Sequence, residues 1–106
     1  MAAPQLTPRE DRRRRALDTI MRTLDVTDAG LAVSLGISRS GVQNRRSGGV
    51  RLREDQVEDM ATALDVPPDL FDMDVRDVLR WLADNRGDEV FAASGWLSQF
   101  PSVLVG

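Results

Sequence analysis

The sequence predicts an all-α fold, and three kinds of observation predict it. Apolar residues recur at three- and four-residue spacing in successive stretches: Ala16, Leu17, Ile20, Met21 and Leu24; then Val57, Met60, Ala61 and Leu64; then Val75, Val78, Leu79 and Leu82. Such spacing gathers each set on one face of a helix. Residues able to cap a helix stand at Thr7, Thr27, Ser38 and Asp74; their side-chain oxygens can accept orphan backbone N–H groups of a first turn. Between the stretches stand Gly36, Gly48-Gly49 and Pro67-Pro68, residues that end helices by turning left-handed or by lacking a donor. The expected organisation is a disordered arm over residues 1–6, a five-helix domain over 7–72 and a C-terminal helical segment over 73–106.

Thr7-Pro8-Arg9-Glu10 opens the first helix. Thr7 caps it, Pro8 fits the first helical position, and Glu10 can close a capping box. The helix is expected to run to about Leu24, with Asp18 and Arg22 a favourable pair four residues apart. Arg12 to Arg15 are consecutive and point around most of its circumference; phosphate contact and a plain solvated face are both open readings for them. Asp25-Val26 links to a second helix, capped by Thr27 and ending at Leu35. Gly36 supplies the positive φ at which the chain turns. Ser38 caps a third helix, Arg39 to about Arg46, which Ser47-Gly48-Gly49 terminates. Gly41 within it costs up to ~1 kcal/mol against alanine, and either close approach to a ligand or chance accounts for it.

Arg53 to Leu64 reads as a fourth helix, with Glu54 and Asp55 suited to the positive end of its dipole. After the prolines, Asp69, Leu70 and Phe71 make a short helical turn. The first 70 residues hold no aromatic side chain, so Phe71 is expected to plug an aliphatic core. Asp74 caps a further helix to about Asn85, with Trp81 off its apolar stripe. Arg86-Gly87-Asp88 reads as a turn and Glu89 to Ala93 as more helix. The chain ends in apolar residues, among them Trp96, Leu97, Phe100 and Leu104, which need cover from this chain or another.

Composition narrows the function classes. The 106 residues include no cysteine, histidine, lysine or tyrosine, which removes disulfides, thiolate chemistry and the commonest general base and metal ligand. The carboxylates are spread along helix surfaces without a metal-like cluster, so an enzyme is not expected, nor a metal or other cofactor, nor a small-molecule ligand. No apolar run approaches the ~18 residues that suggest a membrane span. The arginines near the N-terminus are not followed by an apolar segment, so no secretory signal is read there. A cytoplasmic location, in a bacterial cell or a phage-infected host, is the expectation. The net charge of −3 hides a division. Residues 9–53 carry 11 arginines against 5 acids, a balance of +6; residues 54–106 carry 3 arginines against 12 acids, a balance of −9. Affinity for a polyanion depends on the charge that faces it, not on the total.

The stretch Thr27 to Arg46, TDAGLAVSLGISRSGVQNRR, resembles the DNA-binding helix-turn-helix of phage repressors and Cro-type regulators. The resemblance rests on Ala32 four residues before Gly36, Val42 six after it, and Leu31, Leu35 and Ile37 at matching apolar positions. It extends in order of elements over roughly Pro8 to Phe71. It implies a third helix that enters the major groove, with Ser38, Arg39, Ser40, Gln43 and Asn44 facing the bases. The residue types suit that role: arginine pairs with guanine O6 and N7, glutamine and asparagine with adenine N6 and N7. Phosphate contacts are expected from Arg15, Arg45, Arg46, Arg51 and Arg53 and from the backbone amide of Gly49. Two departures stand out. Arg45 occupies the position where the family usually places a second buried apolar residue, so either its stem packs along the surface or the register differs. Asp28 stands where relatives often place a neutral amide near a phosphate, and that contact is not carried over to it.

The resulting expectation is a sequence-specific regulator of transcription, most naturally a repressor that binds a double-stranded operator. The alternative is a protein-interaction module or antitoxin-like regulator that binds a partner through its acidic C-terminal half. A homodimer is expected, with Val75, Leu79, Leu82, Trp96 and Phe100 at its surface; folding of the tail aromatics back on their own domain is the competing arrangement.

Overall fold

The structure, a computed structural model, describes residues 5–92, with side chains as far as Val90. The chain forms α1 (Pro8–Thr23), α2 (Asp28–Leu35), α3 (Arg39–Ser47), α4 (Glu54–Leu64), a 3₁₀ turn (Pro68–Asp72), α5 (Val75–Asn85) and α6 (Gly87–Ala92), with no strand among the described residues. The fold is all-α, as the sequence predicts.

The starts of the helices follow the capping chemistry. Thr7 Oγ1 accepts from Glu10 N–H at 3.1 Å while Glu10 Oε1 accepts from Thr7 N–H at 2.9 Å, a complete capping box. Thr27, Ser38 and Asp74 each accept a backbone N–H three residues on. The ends share a second device. Asp25, Gly36 and Asp65 all take the left-handed conformation, with φ between 56° and 67°. The next residue's N–H then closes back on a carbonyl five residues earlier: Val26 on Met21, Ile37 on Ala32, Val66 on Ala61. This is the Schellman closure, in which the β-branched residue after the turn also packs on the core. The tripeptides Leu-Asp-Val, Leu-Gly-Ile and Leu-Asp-Val at residues 24–26, 35–37 and 64–66 are its repeated sequence form.

α1 is the central element. It packs against α3, the 3₁₀ turn and α5, while α2 bridges α3 and α4. Ala16, Leu17, Ile20 and Met21 of α1 are buried with Leu31, Ala32 and Val42 around the α2–α3 turn and with Val57, Met60 and Leu64 of α4. Phe71 is fully buried among them, which agrees with its expected role as a plug.

Three expectations need correction. The segment after residue 72 is not a separate extension: Val78, Leu79, Leu82 and Val90 are buried in the same core, so a boundary at residue 72 cuts through it. Leu79 and Leu82 are therefore spent within their own chain and are not free to form a dimer surface; Val75 is half-buried, and Trp96 and Phe100 lie outside the described residues. Gly87 and Asp88 begin α6 instead of making an open turn. Arg86 organises that junction, donating to the carbonyls of Leu64 and Asp65 at the end of α4 and pairing with Glu89 in α6. The arm expected over residues 1–6 also starts to pack within the described region, since Leu6 is half-buried beside Gly48.

Candidate nucleic-acid interface

α3 is nine residues long and divides sharply into two sides. Arg39, Ser40, Gln43, Asn44 and Ser47 are exposed on one, and Val42 is completely buried on the other. Their spacing of three, four and one is that of a single helical face. Ser38, the cap, uses its hydroxyl to accept from Gly41 N–H at 3.1 Å and lies 3.2 Å from Ser40 Oγ. Arg39 makes no ion pair among the described residues and sits in the first turn of the helix. Four of the five expected base-facing residues are thus brought together on one open face, and the fifth, Ser38, anchors its start. At Gly41 a Cβ would stand 3.3 Å from Ser38 Oγ and 3.4 Å from Ile37 Cδ1; the glycine relieves crowding at the cap, which bears on the two readings left open for it.

The expected phosphate contacts divide. Arg51 is exposed, with only a 3.8 Å approach to Glu10. Arg53 and Arg15 are exposed and paired with Asp55 at 3.3 Å and Asp11 at 2.9 Å. Surface pairs of this kind are worth about 0–1 kcal/mol and exchange readily for a phosphate. Arg45 is half-buried, so its stem packs along the domain while α3 keeps its expected register. Two assignments fail on geometry. The Gly49 N–H donates to the Asn44 carbonyl at 2.9 Å, closing the end of α3, and is not available to a ligand. Arg46 points into the fold: it donates to Asp18 Oδ1 at 2.7 Å and to Asp28 Oδ1 at 2.7 Å, with only 20% of its side chain exposed.

The arginine run resolves into internal ties. Arg13 is buried and donates to the Leu52 carbonyl at 2.9 Å. Arg14 donates to the Arg46 carbonyl at 3.2 Å and to Asp11. Arg12 reaches the Asp72 carbonyl at 3.5 Å. Arg12 and Arg15 stay exposed, Arg15 paired with Asp11. Helical spacing places some of the four beside the core stripe, but consecutive arginines carry no signal of which partner each will meet.

Asp28 also has a place that its sequence position does not reveal. Its carboxyl is held below the ordinary aspartate range, chiefly by the hydrogen bond from Arg46 against the opposing effect of burial, and further by Arg46's charge and the Gln43 amide. Arg14, Asp18, Arg22, Asp28, Gln43, Arg46 and Ser47 line an open cleft of about 340 Å³ beside α3. The twelve acids from Glu54 to Glu89 are all exposed, and three of them, Glu54, Asp55 and Asp72, pair with arginines of the basic half. Arg9 and Arg13 reach Glu54 at 3.6 and 3.8 Å. No helix among the described residues is long and apolar enough to cross a membrane. Comparison of the chain with protein-family models, curated proteins and solved structures found no match.

Proposed function

We propose that this chain is a sequence-specific regulator that binds double-stranded DNA and represses by occlusion, with α3 in the major groove. The single observation that carries the reading is the exposed face of α3. Arg39, Gln43 and Asn44 stand side by side on it, held by a capped start, a buried Val42 and a closed end. Those side chains carry the donors and acceptors that distinguish guanine and adenine edges in the major groove. Arg45, Arg51, Arg53 and Arg15 supply the cations for flanking phosphates, and the exposed acids of the second half limit nonspecific binding. A phage-type immunity or Cro-like role in the cytoplasm follows by analogy of architecture and not from the site itself. Two copies on a two-fold operator would suit so short a reading element; Leu79 and Leu82, internal to the chain, would not carry the pairing.

Selection of bound sequences from random duplex DNA tests the proposal. The expected result is an enriched motif of a few base pairs per copy and a mobility shift that weakens steeply with salt. A chain that binds no duplex at 50 mM salt would refute it.

A further inference from the structure

Arg46 is held by three residues from two other helices, α1 and α2. Asp18, in α1, takes its Nε and Nη2 at 2.9 and 2.7 Å. Asp28, at the first residue of α2, takes its Nη1 at 2.7 Å. Arg14, one turn before Asp18 in α1, donates to its backbone carbonyl at 3.2 Å. The two carboxylates are only 29% and 20% exposed as side chains. Gln43, one turn before Arg46 on the reading face, lines the same cleft as Asp28 and Arg46.

We propose that the Asp18–Arg46–Asp28 bridge sets the orientation of α3 and of Gln43, so that Arg46 and Asp28 determine sequence preference without touching DNA. This deepens the proposed function and rests on it. Val42 is the one fully buried residue of α3, and an apolar contact of that kind fixes how deep a helix sits better than how it is rolled. A guanidinium forked between two carboxylates is directional. Ion pairs of this partly buried kind add little net stability, and their best-attested use is to select one arrangement among several. Asp28 completes the fork, and because Gln43 lies one turn before Arg46 on the same helix, the roll that the fork sets is the roll of Gln43.

The test compares wild type with Arg46→Gln, Arg46→Lys and Asp28→Asn on the selected site and on random duplex, across a salt series, with thermal melts alongside. Lysine keeps the charge but replaces the planar, directed fork of donors with a single rotatable ammonium on a flexible stem. The expected result is that all three variants lose about tenfold or more in the ratio of selected-site to random binding, as for one lost bidentate base contact, while the salt slope stays as in wild type. Residual dipolar couplings of the free protein should show the α3 amide vectors rotated together against α1 and α4 in each folded variant. If Arg46 instead contacts phosphate, Arg46→Gln will weaken both duplexes alike and reduce the slope by about 0.9, and Arg46→Lys will keep both affinity and preference; that pattern overturns the inference and leaves the proposed function standing. An unchanged ratio with unrotated α3 vectors also overturns it. Wild-type protein without any duplex binding overturns the parent reading, and the inference with it.

Discussion

Replacing Gly36 probes the turn that joins α2 to α3, and the structure allows the cost to be worked out. Gly36 has φ 67° and ψ 33°, and a Cβ built there meets no atom within 4 Å. The penalty for a side chain is therefore purely one of backbone conformation. For alanine, the left-handed region costs about 1–2 kcal/mol, offset by roughly 0.4–1 kcal/mol from a less flexible unfolded chain. A β-branched residue is a true outlier there, so Gly36→Val should lose about 2–3 kcal/mol. At about 4–8 °C per kcal/mol for a domain of this size, that is a fall of roughly 10–20 °C. Gly36→Asp and Gly36→Asn should cost least, because Asp25 and Asp65 already occupy the same conformation at φ 56° and 57° in the same closure. Melts followed by helical circular dichroism would rank the series. If Gly36→Val melts as wild type does, or if valine is tolerated better than aspartate, the left-handed assignment is wrong.

Further outcomes are equally checkable. Arg39→Ala should cost about 1–3 kcal/mol on the preferred site and relax choice at one base pair, whereas Arg51→Ala should weaken all duplexes alike and lower the salt slope by about one; equal losses on selected and random DNA for Arg39→Ala would misplace the reading face. Because the folded Asp28 carboxyl is depressed, its stabilising contribution is complete above the unfolded aspartate value of about 3.9 and is lost as pH falls through the lower folded value. Urea titrations should therefore show a steeper acid limb for wild type than for Asp28→Asn, and parallel limbs would contradict that. A chain ending at Asp72 loses Val78, Leu79, Leu82 and Val90 from the core; at about 1.5–3 kcal/mol each this rivals the whole ~5–15 kcal/mol of a typical domain. It should lack a cooperative melt, and a sharp transition in that shortened chain would show that α5 is dispensable.

What could be read in the sequence was what is local. Caps at Thr7, Thr27, Ser38 and Asp74 act over three residues, and the left-handed Gly36 acts over one, so these boundaries could be read in place. The face of α3 was legible for the same reason, since helical spacing alone separates Val42 from Arg39, Gln43 and Asn44. What escaped depends on which segments meet. Arg46 looked like a phosphate ligand because its partners lie 28 and 18 residues away, at Asp18 and Asp28. The stripe Val78, Leu79, Leu82 is equally consistent with a dimer seam and with cover for α1; periodicity reports that a face is buried, not against what. Asp25 was read as a plain link because aspartate signals a left-handed turn less plainly than glycine does, although its tripeptide recurs at residues 64–66.

The long-range ties of this domain end, in several cases, on main-chain oxygens. Arg13 holds the carbonyl of Leu52, Arg14 that of Arg46, and Arg86 those of Leu64 and Asp65. A carbonyl is present whatever residue bears it, so the accepting end of each tie is anonymous while the donating end is written in one codon. Mutational tolerance should then be lopsided. Leu52, Leu64 and Asp65 can vary, within the limits of their own packing and turn geometry, without breaking a tie, whereas each arginine carries its tie alone. Such pairs would leave little trace of covariation between the two positions, because only one of them has anything to compensate.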